Sequence, residues 1–206
     1  SPAGDVAMNV QGSTHAILVA ERLVLNTLQR MSGIATLTSQ VVQKLKGTRT
    51  QVLDTRKTTP GMRYLEKMAV RIAGGTNHRF GLYDAMMIKD NHIDYAGGVT
   101  AAIMAARKYL KDKALTMPIV VEVRDLAELR QVLTVGGIDR ILLDNFGYDQ
   151  IREAIKLIDG RFATEASGNI TLDNVQNYAA CGVDYVSMGM LTHSAKNLDM
   201  SLKAIK

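Results

Sequence analysis

The chain has 206 residues, 47% of them hydrophobic, 22% charged and 5% aromatic, with 3 Pro and no Trp. That content can bury a sizeable core, which excludes a disordered chain and a disulfide-stapled mini-fold, and the length fits one large domain or one and a half small ones. Lys and Arg number 25 against 20 Asp and Glu, a formal +5, spread without long blocks or interleaved aromatic side chains, so a nucleic-acid surface is not supported.

The single cysteine, Cys181, permits no intrachain disulfide and reads as a small buried hydrophobe. No apolar run approaches the ~18 residues of a membrane span and no basic-then-apolar leader opens the chain. A cytoplasmic chain with no membrane partner is the expectation.

Residues 1–17 read as extended segments with turns at Gly4 and Gly12, ahead of a helical pattern over 20–46. An extended stretch at 50–54 precedes a second helix that starts after Pro60-Gly61 and stops at Gly74-Gly75. Then come an apolar run at 85–88, a helix at 99–110 and a strand at 119–123. Asp125 caps a helix that ends at Gly136-Gly137. Three further units follow: strand 140–143 with helix 148–158, strand 162–166 with helix 172–180, and strand 185–188. Residues 199–205 alternate like an edge strand. Strands that are continuous apolar runs are buried on both faces, as in a parallel sheet covered by helices. No Gly-x-Gly-x-x-Gly turn follows the first strand, which disfavours a dinucleotide-binding sheet and leaves an α/β fold of the (β/α) barrel type.

Polar residues stand at the carboxyl end of each strand, the face where such barrels assemble active sites. Arg56, Lys57, His78, Arg79 and Lys89 form a cationic set suited to several carboxylate or phosphate oxygens. Glu122 and Asp144 are single carboxylates on neighbouring strands, suited to ribose hydroxyls or to a hard cation that keeps its waters. Ser167-Gly168-Asn169 and Gly189 offer backbone N–H groups to a phosphate. Taken singly, each residue has a bland alternative: a solvated charge, a surface ion pair between Glu122 and Arg124, a turn at Asp144-Asn145, a packing role for His193. Their convergence on one rim outweighs those readings and points to a sugar-phosphate substrate with a divalent metal.

At these residues the sequence resembles the quinolinate phosphoribosyltransferases, among the type II phosphoribosyltransferases. The matching stretches are ERLVLN and SGIAT within 21–36, DTRKTTPGMR at 54–63, the run from GGTNHR through IKDNH at 74–92, VEV at 121–123, LLDNF at 142–146, EASGNI at 165–170 and VDYVSMGMLTHS at 183–194. The resemblance implies an open seven-stranded (β/α) barrel that joins quinolinate to phosphoribosyl pyrophosphate with Mg²⁺. Pyrophosphate and CO₂ are released and nicotinate mononucleotide is formed. Residue by residue, it implies that Arg56, His78, Arg79 and Lys89 hold quinolinate, with Lys57 on the pyrophosphate side. Glu122 and Asp144 would serve the ribose hydroxyls and the metal; together with Lys89 they are the expected catalytic residues. Ser167, Gly168, Asn169 and Gly189 would hold the 5′-phosphate with His193 nearby, and Arg22 would reach the site of a second subunit in a homodimer, or in a hexamer.

The family also carries an amino-terminal sandwich domain ahead of the stretch that matches here. The expectation is therefore a fragment in which 1–19 and 199–206 are strand remnants of that domain around a 20–198 barrel. Leu23 and Ala73 depart from the usual pattern without touching a charged site residue. Three other readings remain: an aldolase-type lyase using Lys89 as a Schiff base, a phosphoribosyltransferase for another ring acid, and a non-catalytic phosphate-binding barrel.

Overall fold

The first helix, α1, spans Thr14–Leu45. Ile34, Thr38, Val41 and Leu45 recur at helical spacing and are buried along one stripe. It begins at 14, earlier than the expected helical pattern from 20 and inside the stretch expected to be extended up to 17. After Gly12 and the N-cap position Ser13, no Gly or Pro interrupts the chain before Gly33, so nothing stops the helix from starting at 14. The expected boundary between 19 and 20 thus falls inside a continuous helix.

This computed structural model describes residues 4–205. Ser1, Pro2, Ala3 and Lys206, which the sequence reading assigned to terminal strands, lie outside the described residues. Six strands follow α1: β1 Gln51–Leu53, β2 Met86–Ile88, β3 Ile119–Val123, β4 Arg140–Asp144, β5 Ala163–Ser167 and β6 Tyr185–Ser187. Every pairing is parallel, in the order β1-β6-β5-β4-β3-β2. Helices α2 Arg63–Ile72, α3 Asp90–Ala96, α4 Val99–Asp112, α5 Leu126–Val135, α6 Tyr148–Ile158, α7 Val175–Ala180 and α8 Met190–His193 connect and cover them. Asp125 caps α5 as expected, accepting the Glu128 N–H at 2.8 Å. The short α3 and α8 escape a periodicity reading because one or two turns cannot display a period.

Among the described residues six strands rather than the expected seven are formed, and a seventh is reduced to one residue. Thr76 makes a single parallel bridge to Leu53, donating its N–H to Val52 O at 2.9 Å and accepting from the Asp54 N–H at 3.2 Å. The order is thus that of a barrel in which the last strand closes on the first, with one open seam between Thr76 and β2.

Alternation along the strands separates two surfaces. Val52, Ile88, Ile119, Val121, Val123, Ile141, Leu143, Ala166 and Val186 join the apolar cluster under the helices. The residues between them, Glu122, Arg140, Asp144, Glu165 and Ser167 among others, face the opposite side, the barrel interior. The strands are buried on both faces as read, and the inner face mixes these polar residues with buried Leu53, Val120 and Leu142.

Residues 199–205 form no strand, in contrast to the expected edge strand. Alternation is not enough without a neighbour to complete the ladder, and the tail lies against α1 instead. Leu198 donates its N–H to Gln29 O at 3.1 Å, and Gln29 Nε2 donates to Met200 O at 3.1 Å. Gly33 makes this approach possible: a Cβ there would stand 2.0 Å from Lys196 O. Gly33→Ala should therefore displace the tail and cost about 1–3 kcal/mol despite the better helix propensity of Ala. Urea unfolding checks it; an unchanged or raised midpoint would contradict this packing.

Candidate active site

At the carboxyl rim, β2 delivers Lys89 and β3 delivers Glu122. Lys89 Nζ donates to Glu122 Oε2 at 2.6 Å, with the lysine side chain 43% exposed and the glutamate 10%. Arg79 reaches the same area from the segment after Thr76, its Nη1 donating to Ala85 O at 3.3 Å. Burial pushes the Arg79 guanidinium below its ordinary pKa and the like charge of Arg56 pushes the same way, while Asp84 and Glu122 pull back. Arg79 thus lies within electrostatic reach of Arg56 and of the Lys89–Glu122 pair, a set of charges whose chemistry suits an anion with several oxygens.

The second group comes from β4 and β5. Ser167 Oγ donates to Asp144 Oδ1 at 2.5 Å, and Asn145 Nδ2 donates to Asp144 Oδ2 at 2.7 Å. Asn145 and Asn169 both adopt left-handed backbone, at φ 56° and 52°. Gly168 between the two loops, at φ 95°, has no room for a side chain: a Cβ would lie 2.1 Å from Asn145 Oδ1. The loop after β5 therefore presents backbone rather than side chains, the form that suits a phosphate.

The third group joins the loop after β1 to α8. Thr192 Oγ1 donates to Lys57 O at 2.8 Å, and a Cβ on Gly189 would come within 3.1 Å of both the His193 ring and the Lys57 stem. Lys57, Gly189 and His193 are thus neighbours. Arg22, by contrast, meets no rim residue among the described contacts. It projects from α1 with its side chain 76% exposed, beside Glu21 at 3.4 Å.

His78 is placed differently from the other cationic candidates. Its side chain is 7% exposed, Nδ1 accepts the Arg79 N–H at 2.7 Å, and Nε2 lies 3.4 Å from Glu165 Oε2. Glu165 is fully buried and also accepts from Arg140 Nη1 at 2.9 Å. Burial alone would push the Glu165 carboxyl up, yet His78 and Arg140 together outweigh it and hold the group below its ordinary value.

Two buried ionic networks behind the rim were not singled out from sequence. In one, Asp54 accepts from Lys67 Nζ at 2.5 Å, from Asn77 Nδ2 at 2.5 Å and from the His78 N–H at 2.8 Å. In the other, Arg30 on α1 donates to Glu66 Oε1 and to Ala195 O, both at 2.9 Å, and to Thr192 O, while Glu66 Oε2 accepts the Thr59 N–H at 3.1 Å. A signal was present: Glu66 and Lys67 precede buried Ala69 and Val70 by one helical turn, so charged residues occupy the apolar stripe of α2. The feared Glu122–Arg124 surface pair does not form; Arg124 pairs with Glu128 and Asp94. Burial pushes the Cys181 thiol up, in keeping with an inert packing residue.

Among the described residues, no group of three or more His, Cys, Asp or Glu could hold a metal ion, and no helix is long and apolar enough to cross a membrane. Glu122, which accepts from Lys89, and Asp144, which accepts from Ser167 and Asn145, each retain further acceptor capacity. That fits a Mg²⁺ held by one or two carboxylates with water and substrate oxygens, rather than an all-protein cage.

The family model described as quinolinate phosphoribosyl transferase, C-terminal domain, matches residues 34–203. The tobacco (Nicotiana tabacum) quinolinate phosphoribosyltransferase [decarboxylating] 1b is 49% identical over 94% of this chain, which spans 59% of that protein. A probable nicotinate-nucleotide pyrophosphorylase [carboxylating] of Bacillus subtilis is 46% identical over 97% of this chain and 68% of its own length. The crystal structure of NadC from Streptococcus pyogenes superposes with a TM-score of 0.87 at 48% identity, over 94% of this chain and 66% of that one. The chain thus spans about three fifths of the plant relatives it matches.

Proposed function

Because the chain belongs to the quinolinate phosphoribosyl transferase family, matching its C-terminal domain, we propose that it supplies the barrel of a nicotinate-nucleotide pyrophosphorylase (carboxylating). In that reaction the pyridine nitrogen of quinolinate attacks C1′ of phosphoribosyl pyrophosphate and pyrophosphate leaves. The carboxylate next to the ring nitrogen then departs as CO₂, its electron pair staying on the ring carbon until a proton arrives, and nicotinate mononucleotide results. The single observation that supports this reading is the rim where Lys89 pairs with Glu122 at 2.6 Å and Arg79 lies within electrostatic reach of both Glu122 and Arg56.

The residues divide the substrate between them. Arg56, Arg79 and Lys89 take the two carboxylates, with His78 behind Arg79. Glu122 and Asp144 accept from the ribose hydroxyls and would hold Mg²⁺, which when bound supplies positive charge at the departing pyrophosphate. Ser167, Gly168 and Asn169 face the 5′-phosphate; Lys57, Gly189 and His193 supply the charge and close backbone approach for the remaining phosphate oxygens. No covalent nucleophile is required, because the step needs positioning and charge stabilisation. Lys89 is ion-paired and half exposed, which is not the desolvated amine of a Schiff-base enzyme. Arg22, standing among exposed Leu18, Val19 and Leu23, is available to a second copy in a homodimer.

Calorimetry with quinolinate and phosphoribosyl pyrophosphate, separately and together with Mg²⁺, followed by assay for nicotinate mononucleotide, tests this reading. Binding of both with product formation is expected. Binding of phosphoribosyl pyrophosphate with no affinity for quinolinate would overturn it in favour of another ring acid or a non-catalytic phosphate-binding barrel.

A further inference from the structure

We infer that Glu165 is a positioning residue that fixes the tautomer of His78, so that the imidazole supports the backbone of Arg79 instead of presenting a nitrogen to the substrate. The inference rests on the proposed reading of Arg79 as a carboxylate ligand; its first half, the state of the ring, stands independently of that reading.

His78 has two ring nitrogens, and both face protein. Nδ1 accepts the Arg79 N–H at 2.7 Å, which requires a lone pair there. In a neutral ring the proton therefore sits on Nε2, which has no hydrogen-bond partner among the described residues and lies 3.4 Å from Glu165 Oε2. That separation is longer than an ordinary N–H···O bond, so the carboxylate acts on the ring through its charge. A carboxylate is a suitable partner for a ring N–H because it can only accept, so it enforces the tautomer that a neutral amide or a hydroxyl would leave open.

The carboxylate is itself held in place. Glu165 is fully buried on the inner face of β5, and Arg140 from β4 donates to the same oxygen at 2.9 Å while its guanidinium carbon stands 4.2 Å from the Tyr185 ring centroid. On the other side, Asp54 accepts the His78 N–H at 2.8 Å. The His78-Arg79 dipeptide is thus tied to Asp54 by one backbone N–H and braced internally by the ring, which accepts the next N–H, with Glu165 3.4 Å from the ring's other nitrogen. Those contacts aim the Arg79 side chain toward the rim. His78 acts through Arg79 here, which differs from the direct carboxylate contact that the family resemblance implies.

The test combines a spectrum with kinetics. In ¹⁵N-imidazole NMR of the full chain, with the His78 signals assigned by their loss in His78→Gln, the expected pattern is a pyridine-type Nδ1 and a pyrrole-type Nε2. Glu165→Gln should mix the tautomers and raise KM for quinolinate about tenfold or more, while KM for phosphoribosyl pyrophosphate changes less than about twofold. A purely structural role would move both. Asn in place of His78 keeps an oxygen where Nδ1 accepts, so His78→Asn should recover at least about tenfold of what His78→Ala loses. A pyrrole-type Nδ1 in the wild-type spectrum, or His78→Asn as damaging as His78→Ala, would overturn the inference. If Glu165→Gln fails to fold, the wild-type spectrum and the two His78 variants still decide. The expected spectrum from a protein that does not bind quinolinate would support the tautomer and overturn the proposed function alone.

Discussion

Asp54→Ala is expected to destabilise the chain by about 3–5 kcal/mol, a large part of the stability of an ordinary domain. Asp54 and Lys67 are buried, with side chains 0% and 2% exposed, and lie 2.5 Å apart. Burial pushes the Asp54 carboxyl up and the Lys67 ammonium down, against the opposite pull of their own contact. Each charge is therefore tolerated only because the other is present. Truncating Asp54 would leave the ammonium with His78 O at 2.9 Å as its remaining hydrogen-bond acceptor, and would strip the Asn77 amide and the His78 N–H of an acceptor. The loss should appear as a lower urea midpoint at unchanged slope. The double variant Asp54→Leu/Lys67→Met should recover part of it, because a well-packed apolar pair carries no uncompensated charge. A loss below about 1 kcal/mol, as for an exposed pair, would contradict this account.

The same pair explains what the sequence could and could not disclose. The parallel arrangement was legible because β3 and β4 hold short apolar runs and the strands are separated by helices whose periods and stops are explicit, Asp125 and Gly136 being the clearest. The rim was legible because polar residues follow each run in turn. What lay inside was not. Arg140 and Glu165 sit at the edge or in the middle of strands, and only the register that pairs Leu142 with Glu165 shows that they share the inner face. Lys67 and Glu66 were hidden for a related reason: a charged residue on an apolar helix stripe looks like an error in phase until its partner, Asp54 or Arg30, arrives from a distant segment. At the termini the reading failed through lack of context. The 14–19 stretch has no breaker and joins α1, and the 199–205 alternation has no strand to pair with.

Lys89→Ala is expected to lower kcat/KM for quinolinate by about 10³-fold or more while leaving the unfolding midpoint unchanged. The stability half follows from position. Lys89 is half exposed at the end of β2, and its removal opens no apolar cavity. The activity half has two parts that act in the same direction. One cation leaves the rim, and Glu122, 10% exposed and 2.6 Å from the lost ammonium, becomes an uncompensated negative charge facing an incoming dicarboxylate. Lys89→Ala/Glu122→Gln should then bind quinolinate more tightly than Lys89→Ala alone, although turnover should stay low because the proposed function also places Glu122 at the ribose. Arg79→Ala should abolish turnover as well, through loss of the bidentate donor. Steady-state kinetics beside urea unfolding separates the two halves. Near-normal turnover in either single variant would remove these residues from the site, and a fall in the midpoint parallel to the fall in rate would make Lys89 a structural residue.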